Sequence, residues 1–140
     1  MEALSVHLMV DLHGCPFDLL NDVEALRESL LRAAEIAETS VLGEAFHKFE
    51  PQGVSGLLLV SESHLAVHTW PEHGHAAADV FTCGNKQAAQ RAAQFLVDAF
   101  QAQQHTISRV DRGVLGAEPD IVPVRYRPQR TRTEVASAAT

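Results

Sequence analysis

An α+β fold is predicted, a two-layer α/β sandwich with two helices on one face of an antiparallel sheet. Three observations carry this reading. Val6, Leu8, Val10 and Leu12 alternate with Ser5, His7, Met9 and Asp11, the period of a half-buried strand. Two longer segments repeat apolar residues every three or four positions, the period of an amphipathic helix. Between them, four strand-like runs follow one another through short connections, which favour antiparallel pairing.

The elements follow in order. His13-Gly14-Cys15-Pro16 breaks the first strand. A helix is expected from about Asp18 to Glu38, with Leu19, Val23, Leu26, Leu30, Ala34 and Ala37 on its inner face and Asp18 or Asn21 as its cap. Val41 to Phe49 reads as the second strand, ended by Pro51-Gln52-Gly53. Val54 to Ser61 is the third, His64 to Trp70 the fourth and Ala76 to Cys83 the fifth, the last two parted by Pro71 and Gly74. Asn85 can cap a second helix over Lys86 to Gln103, with Ala89, Ala92, Leu96 and Phe100 facing inward. Thr106 to Arg112 is the last strand. The domain therefore spans 1–113. Residues 114–140 hold three prolines and end Ala-Ser-Ala-Ala-Thr, the composition of a loosely packed tail.

Composition narrows the function. A chain of 140 residues buries a real core but leaves little room for a deep pocket of its own, so a site shared across a homodimer interface is expected. The net charge of −7 argues against nucleic acid as a partner. No apolar run is long enough for a membrane span and no signal peptide precedes the first strand. Cys15 and Cys83 do not make a disulfide framework. These features predict a soluble cytoplasmic protein with reduced thiols.

Chemistry concentrates between Ser61 and Gly84. Ser61-Glu-Ser-His-Leu-Ala-Val-His-Thr-Trp-Pro-Glu72 is followed by Phe81-Thr82-Cys83-Gly84, so that histidines, serines, carboxylates, a thiol and the only tryptophan fall in one short region. Such groups suit proton transfer and covalent chemistry. In a regular strand His68, Trp70 and Glu72 would share one face, and Leu65, Val67 and Thr69 the other.

Three blocks carry a family resemblance: Phe46-His-Lys-Phe-Glu-Pro-Gln-Gly-Val-Ser-Gly56, then Glu62-Ser63-His64 with His68-Thr-Trp-Pro-Glu72, then Asp79-Val-Phe-Thr-Cys-Gly84. In these, and more weakly over roughly residues 5 to 113, the chain resembles the bacterial and archaeal S-adenosylmethionine decarboxylase proenzymes. The resemblance implies the same sandwich, paired as a homodimer, and self-cleavage at Glu62-Ser63. Ser63 Oγ would attack the Glu62 carbonyl, elimination of the resulting ester would leave dehydroalanine at position 63, and its hydrolysis with loss of ammonia would give a pyruvoyl cofactor derived from Ser63. His68 is implied as the base of that elimination and Ser55 as a processing aid. Cys83 is implied as the acid that returns a proton to the substrate α-carbon. Phe49, Trp70 and Glu72 are the implied substrate-binding residues, two rings for adenine and sulfonium and a carboxylate for ribose hydroxyls. The substrate would be S-adenosylmethionine, the product a donor of aminopropyl groups for spermidine. One geometric tension follows: five residues of strand separate Ser63 from His68 by ~17 Å, so the chain must bend near His64 or fold sharply at Ser63.

Two departures bear on substrate. His13 stands where the family carries a tyrosine, and His73 and His75 replace tyrosines around Gly74. Pyruvoyl-dependent decarboxylation of arginine or ornithine is therefore the alternative reading. A non-enzymatic alternative takes His64, His68, His73 and His75 with Cys83 as zinc ligands, although no paired-cysteine signature accompanies them and no metal is expected.

Overall fold

A computed structural model describes residues 3–61 and 63–116 of the chain. Glu62 and residues 117–140 lie outside the described residues, and with them one side of the expected cleavage site and nearly all of the expected tail.

Six strands form one sheet: β1 (Ala3–His13), β2 (Val41–Lys48), β3 (Val54–Val60), β4 (Ser63–Trp70), β5 (His75–Thr82) and β6 (Gln104–Val114). Their order is β2-β3-β4-β5-β1-β6, and every neighbouring pair is antiparallel. Strands β2 to β5 are a meander, as short connections require. α1 (Phe17–Leu20) and α2 (Val23–Ile36) carry the chain from β1 to the far edge, and α3 (Lys86–Ala99) carries it from β5 across β1 to β6.

Strand alternation divides the sheet into two faces. Val6, Leu8, Val10 and Leu12 of β1, Leu58 of β3, Leu65 and Val67 of β4 and Val80 of β5 are buried beneath the helices. They meet Leu26, Leu30 and Ala34 of α2 and Ala92, Leu96 and Phe100, on or just after α3. Each fully buried leucine contributes about 1.5–3 kcal/mol relative to an exposed one. The opposite face carries no helix and is described with the site below.

The first helical segment departs from expectation. It is broken into α1 and α2, and neither Asp18 nor Asn21 caps it. The Asp22 side chain accepts from the Ala25 amide and starts α2, while Asn21 Oδ1 accepts from the Gly53 amide at 3.0 Å. Asn21 is thus spent on tying the β2–β3 loop to the helix layer. The 3.6-residue period survives the break because Leu20 and Leu26 still point to one core. Asn85 caps α3 as expected, accepting from the Gln87 and Ala88 amides. β6 is longer than expected and extends through Val114, because ten of its residues hold register with β1.

Candidate active site

The open face of the sheet carries Ser55, Leu57 and Leu59 from β3 and His64, Ala66, His68 and Trp70 from β4. From β5 and β1 come His75, Asp79 and Phe81, and His7, Met9 and His13. Leu57, Leu59, Trp70 and Val110 are exposed there. The predicted site residues fall in two groups at opposite ends of β4, and Ser63, in register with buried Val60 and Thr82, has the parity of the helix-covered face rather than of the open one.

The first group gathers around the β2–β3 loop and the end of β4. Ser55 and His68 are register partners, and Ser55 Oγ lies 2.8 Å from His68 Nδ1. Phe49, Trp70 and Glu72 join them with Gln52 and Gly53 around a pocket of about 290 Å³. Glu72 reaches the pocket from a 3-10 turn, Pro71–His73, rather than from the strand itself. That turn closes on Gly74, whose φ of 60° suits glycine, and a Cβ there would press on the Cys15 carbonyl at 3.2 Å. Beneath the pocket, buried Thr69 fastens three elements: its Oγ1 accepts from the Val54 amide at 2.9 Å and donates to the Leu20 carbonyl at 2.7 Å. An apolar cavity of about 440 Å³ adjoins, lined by Ala45, Leu57, Ala66 and His68 among others.

The second group lies at the start of β4. Ser63 pairs with Val60 across the hairpin and with Thr82 on β5. Cys83, the residue after Thr82, is free and exposed. Ser63 has a φ of 157°, a value that L-residues rarely adopt. β3 and β4 are joined by Ser61 and Glu62 alone, a two-residue connection without the Gly, Asn or Asp that such connections favour. Phe81 and His64 form the nearby open face, with His7 against both and the Arg112 guanidinium 4.8 Å over the Phe81 ring.

The structure therefore brings Ser55, His68, Phe49, Trp70 and Glu72 together, and Ser63 beside Cys83, but keeps the two groups apart. β4 runs unbroken from Ser63 to Trp70, with no bend at His64. Five residues of strand set Ser63 and His68 about 17 Å apart. Of the two ways expected to relieve that tension, the bend is absent, and the unusual backbone angle at Ser63 does not bring His68 near.

Two features were not legible in the sequence. His7 Nε2 donates to Asp79 Oδ1 at 2.8 Å, a pair whose members come from different strands and meet only in the β1–β5 register. His75 stacks on Trp70, a contact set by the β4–β5 register. Cys15 is buried, and burial pushes the pKa of its thiol upward. Among the described residues no group of three or more His, Cys, Asp or Glu side chains could hold a metal ion. His64, His68, His73, His75 and Cys83 are spread along the face rather than convergent, so the zinc reading is not favoured.

Comparison with known proteins identifies the family and the fold. The family profile described as S-adenosylmethionine decarboxylase matches residues 6–113. An S-adenosylmethionine decarboxylase proenzyme of Carboxydothermus hydrogenoformans is 48% identical over 118 residues, covering 84% of this chain and 93% of that protein. One from Moorella thermoacetica is 44% identical over 115 residues, covering 82% and 92%. The crystal structure of the adenosylmethionine decarboxylase from Aquifex aeolicus superposes with a TM-score of 0.78 at 32% identity, over 86% of this chain and all of that one. On sequence and on fold, the chain belongs to the S-adenosylmethionine decarboxylase family.

Proposed function

We propose that the chain cuts itself between Glu62 and Ser63, converts Ser63 into a pyruvoyl group, and as a homodimer decarboxylates S-adenosylmethionine for spermidine synthesis. Membership of the family supports the activity and argues against arginine or ornithine as substrate. The observation that carries the reading is Ser63 at the mouth of a two-residue hairpin, beside an exposed thiol at Cys83.

The residues present fit such a group. Ser63 begins a strand whose register places it next to the β5 end, so the new terminus is held by pairing with Thr82 after the chain is cut. The connection that would be cut carries turn chemistry ill suited to its length, which favours release. Once formed, the pyruvoyl ketone supplies an electron sink for the bond to carbon dioxide. Cys83 is placed to return a proton to the substrate α-carbon.

His68 is oriented by Ser55, whose hydroxyl meets Nδ1 at 2.8 Å and leaves Nε2 free for a proton. It cannot serve the Ser63 of its own chain across ~17 Å. The open face supplies the remedy. Leu57, Leu59 and Val110 give it exposed apolar side chains among its histidines, of the kind that sheets packing face to face bury. Two copies stacked about an axis crossing the strands exchange ends, so that Ser55 and His68 of one face Ser63 and Cys83 of the other. The Phe49, Trp70 and Glu72 pocket of one copy then receives the nucleoside, while the carboxyl end of the substrate reaches the other copy's Ser63.

This reading places the enzyme in the cytoplasm with both cysteines reduced, in keeping with their free state. Among the described residues no helix is long and apolar enough to cross a membrane. Intact mass tests the processing: two polypeptides divided at residue 62/63 are expected from the wild type, and a single chain from Ser63→Ala. Cleavage that survives Ser63→Ala sinks the mechanism. Carbon dioxide release from S-adenosylmethionine, arginine and ornithine by the processed protein then tests the substrate.

A further inference from the structure

Trp70 is the only tryptophan of the chain, and its ring is not free. It lies against His75 with 5.2 Å between ring centroids and 25° between planes. The other side of His75 lies against His13, at 4.8 Å and 20°. The three rings come from β4, β5 and β1, which are adjacent in the sheet, and so form one stack across the open face.

The middle ring is also pinned at its edge. His75 Nδ1 is 3.0 Å from the Leu12 carbonyl oxygen, and a carbonyl can only accept, so Nδ1 carries a proton. Nε2 stands 3.9 Å from Asp11 Oδ1, too far for a hydrogen bond but close enough for attraction once the ring is charged. An imidazole held at one edge and stacked on both faces has little freedom left. Trp70 is 42% exposed and has no hydrogen bond of its own among the described residues, so this stack is what restrains it on the side away from the pocket.

We propose that His75 is a positioning residue for the substrate: clamped between His13 and the Leu12 carbonyl, it holds the Trp70 ring in the orientation that the nucleoside meets. The proposal rests on the reading of the Phe49–Trp70–Glu72 pocket as the substrate site. Without the His75 ring, Trp70 must be ordered by the substrate at the moment of binding, and affinity falls by that cost. The chemical step is spared, because His75 touches neither Ser63, Cys83 nor His68 in the described contacts.

The same contact covers one face of the Trp70 indole, so the accessibility of that ring to solvent reports on the stack.

The experiment has two arms. In substrate-free protein, collisional quenching of Trp70 emission by a neutral quencher is expected to rise in His75→Ala, which uncovers one face of the indole, and to return to the wild-type level in His75→Phe. With fully processed protein and S-adenosylmethionine, His75→Ala is expected to raise KM by about 2- to 10-fold with kcat within roughly twofold, and His75→Phe, which keeps a ring, to restore KM. Quenching that is unchanged in His75→Ala overturns the proposal, as does an unaltered KM in His75→Ala. If His75→Ala processes poorly, the emission arm run on uncut Ser63→Ala protein decides the matter. An unaltered KM in Trp70→Ala would instead reject the pocket as the substrate site, while the emission arm still judged the stack.

Discussion

The division of the site between two chains can be tested by mixing two dead variants. Ser63→Ala removes the serine to be converted but keeps His68; His68→Ala does the reverse. Within one chain the two side chains are separated by five residues of uninterrupted β4, about 17 Å, whereas proton transfer needs ~3 Å or one intervening water. Alone, each variant should therefore remain uncut or trapped as the ester. Co-expressed in equal amounts, the chains pair at random, and about half of the two-fold dimers are mixed. In a mixed dimer the intact Ser63 of the His68→Ala chain meets the intact His68 of the Ser63→Ala chain. About half of the Ser63-bearing chains, roughly a quarter of all chains, should then yield the two fragments. Intact mass spectrometry on differently tagged chains reads this directly. Ser55→Ala belongs with His68→Ala, since Ser55 Oγ and His68 Nδ1 meet at 2.8 Å in one chain, and these two should not rescue each other. No fragments from a mixture in which native mass shows mixed dimers would refute the shared site.

Three further outcomes are expected. Trp70→Ala and Glu72→Ala should each weaken S-adenosylmethionine binding by on the order of 1–3 kcal/mol while still cutting the chain, measured as KM on processed protein. Thr69→Val should destabilise the fold by about 1–3 kcal/mol in denaturant unfolding, because it strands the Val54 amide and the Leu20 carbonyl, and Thr69→Ser should restore most of the loss. Thiol labelling should modify exposed Cys83 well before buried Cys15, whose thiol burial raises above its ordinary value of 9.0. A raised folded-state value means that the contribution of Cys15 to stability is present below the ordinary thiol range and is lost as pH climbs through the raised one. Cys15→Ala should remove that part of the alkaline loss in unfolding experiments.

Much of this protein was legible in the chain itself. Val6 to Leu12 alternate and Leu26, Leu30 and Ala34 recur at helical spacing because a sheet face and a helix stripe must each be apolar to be buried, and that requirement is written locally. The blocks around Ser63, His68, Trp70 and Cys83 named the family because their residue types and spacing are specific in sequence. The break between α1 and α2 was not legible: Asn21 and Asp22 are equally able caps, and the Gly53 amide, 32 residues away, took Asn21. Nor could residue number show which side chains meet. Ser55 touches His68 because β3 and β4 pair in one register, and His13, His75 and Trp70 stack because β1, β5 and β4 are neighbours. The ~17 Å that an extended strand puts between residues 63 and 68 was legible, but that β4 runs through His64 without a bend to shorten it was not. Local periodicity determines which face of each strand is buried; only the register between strands decides which residues on the open face can act together.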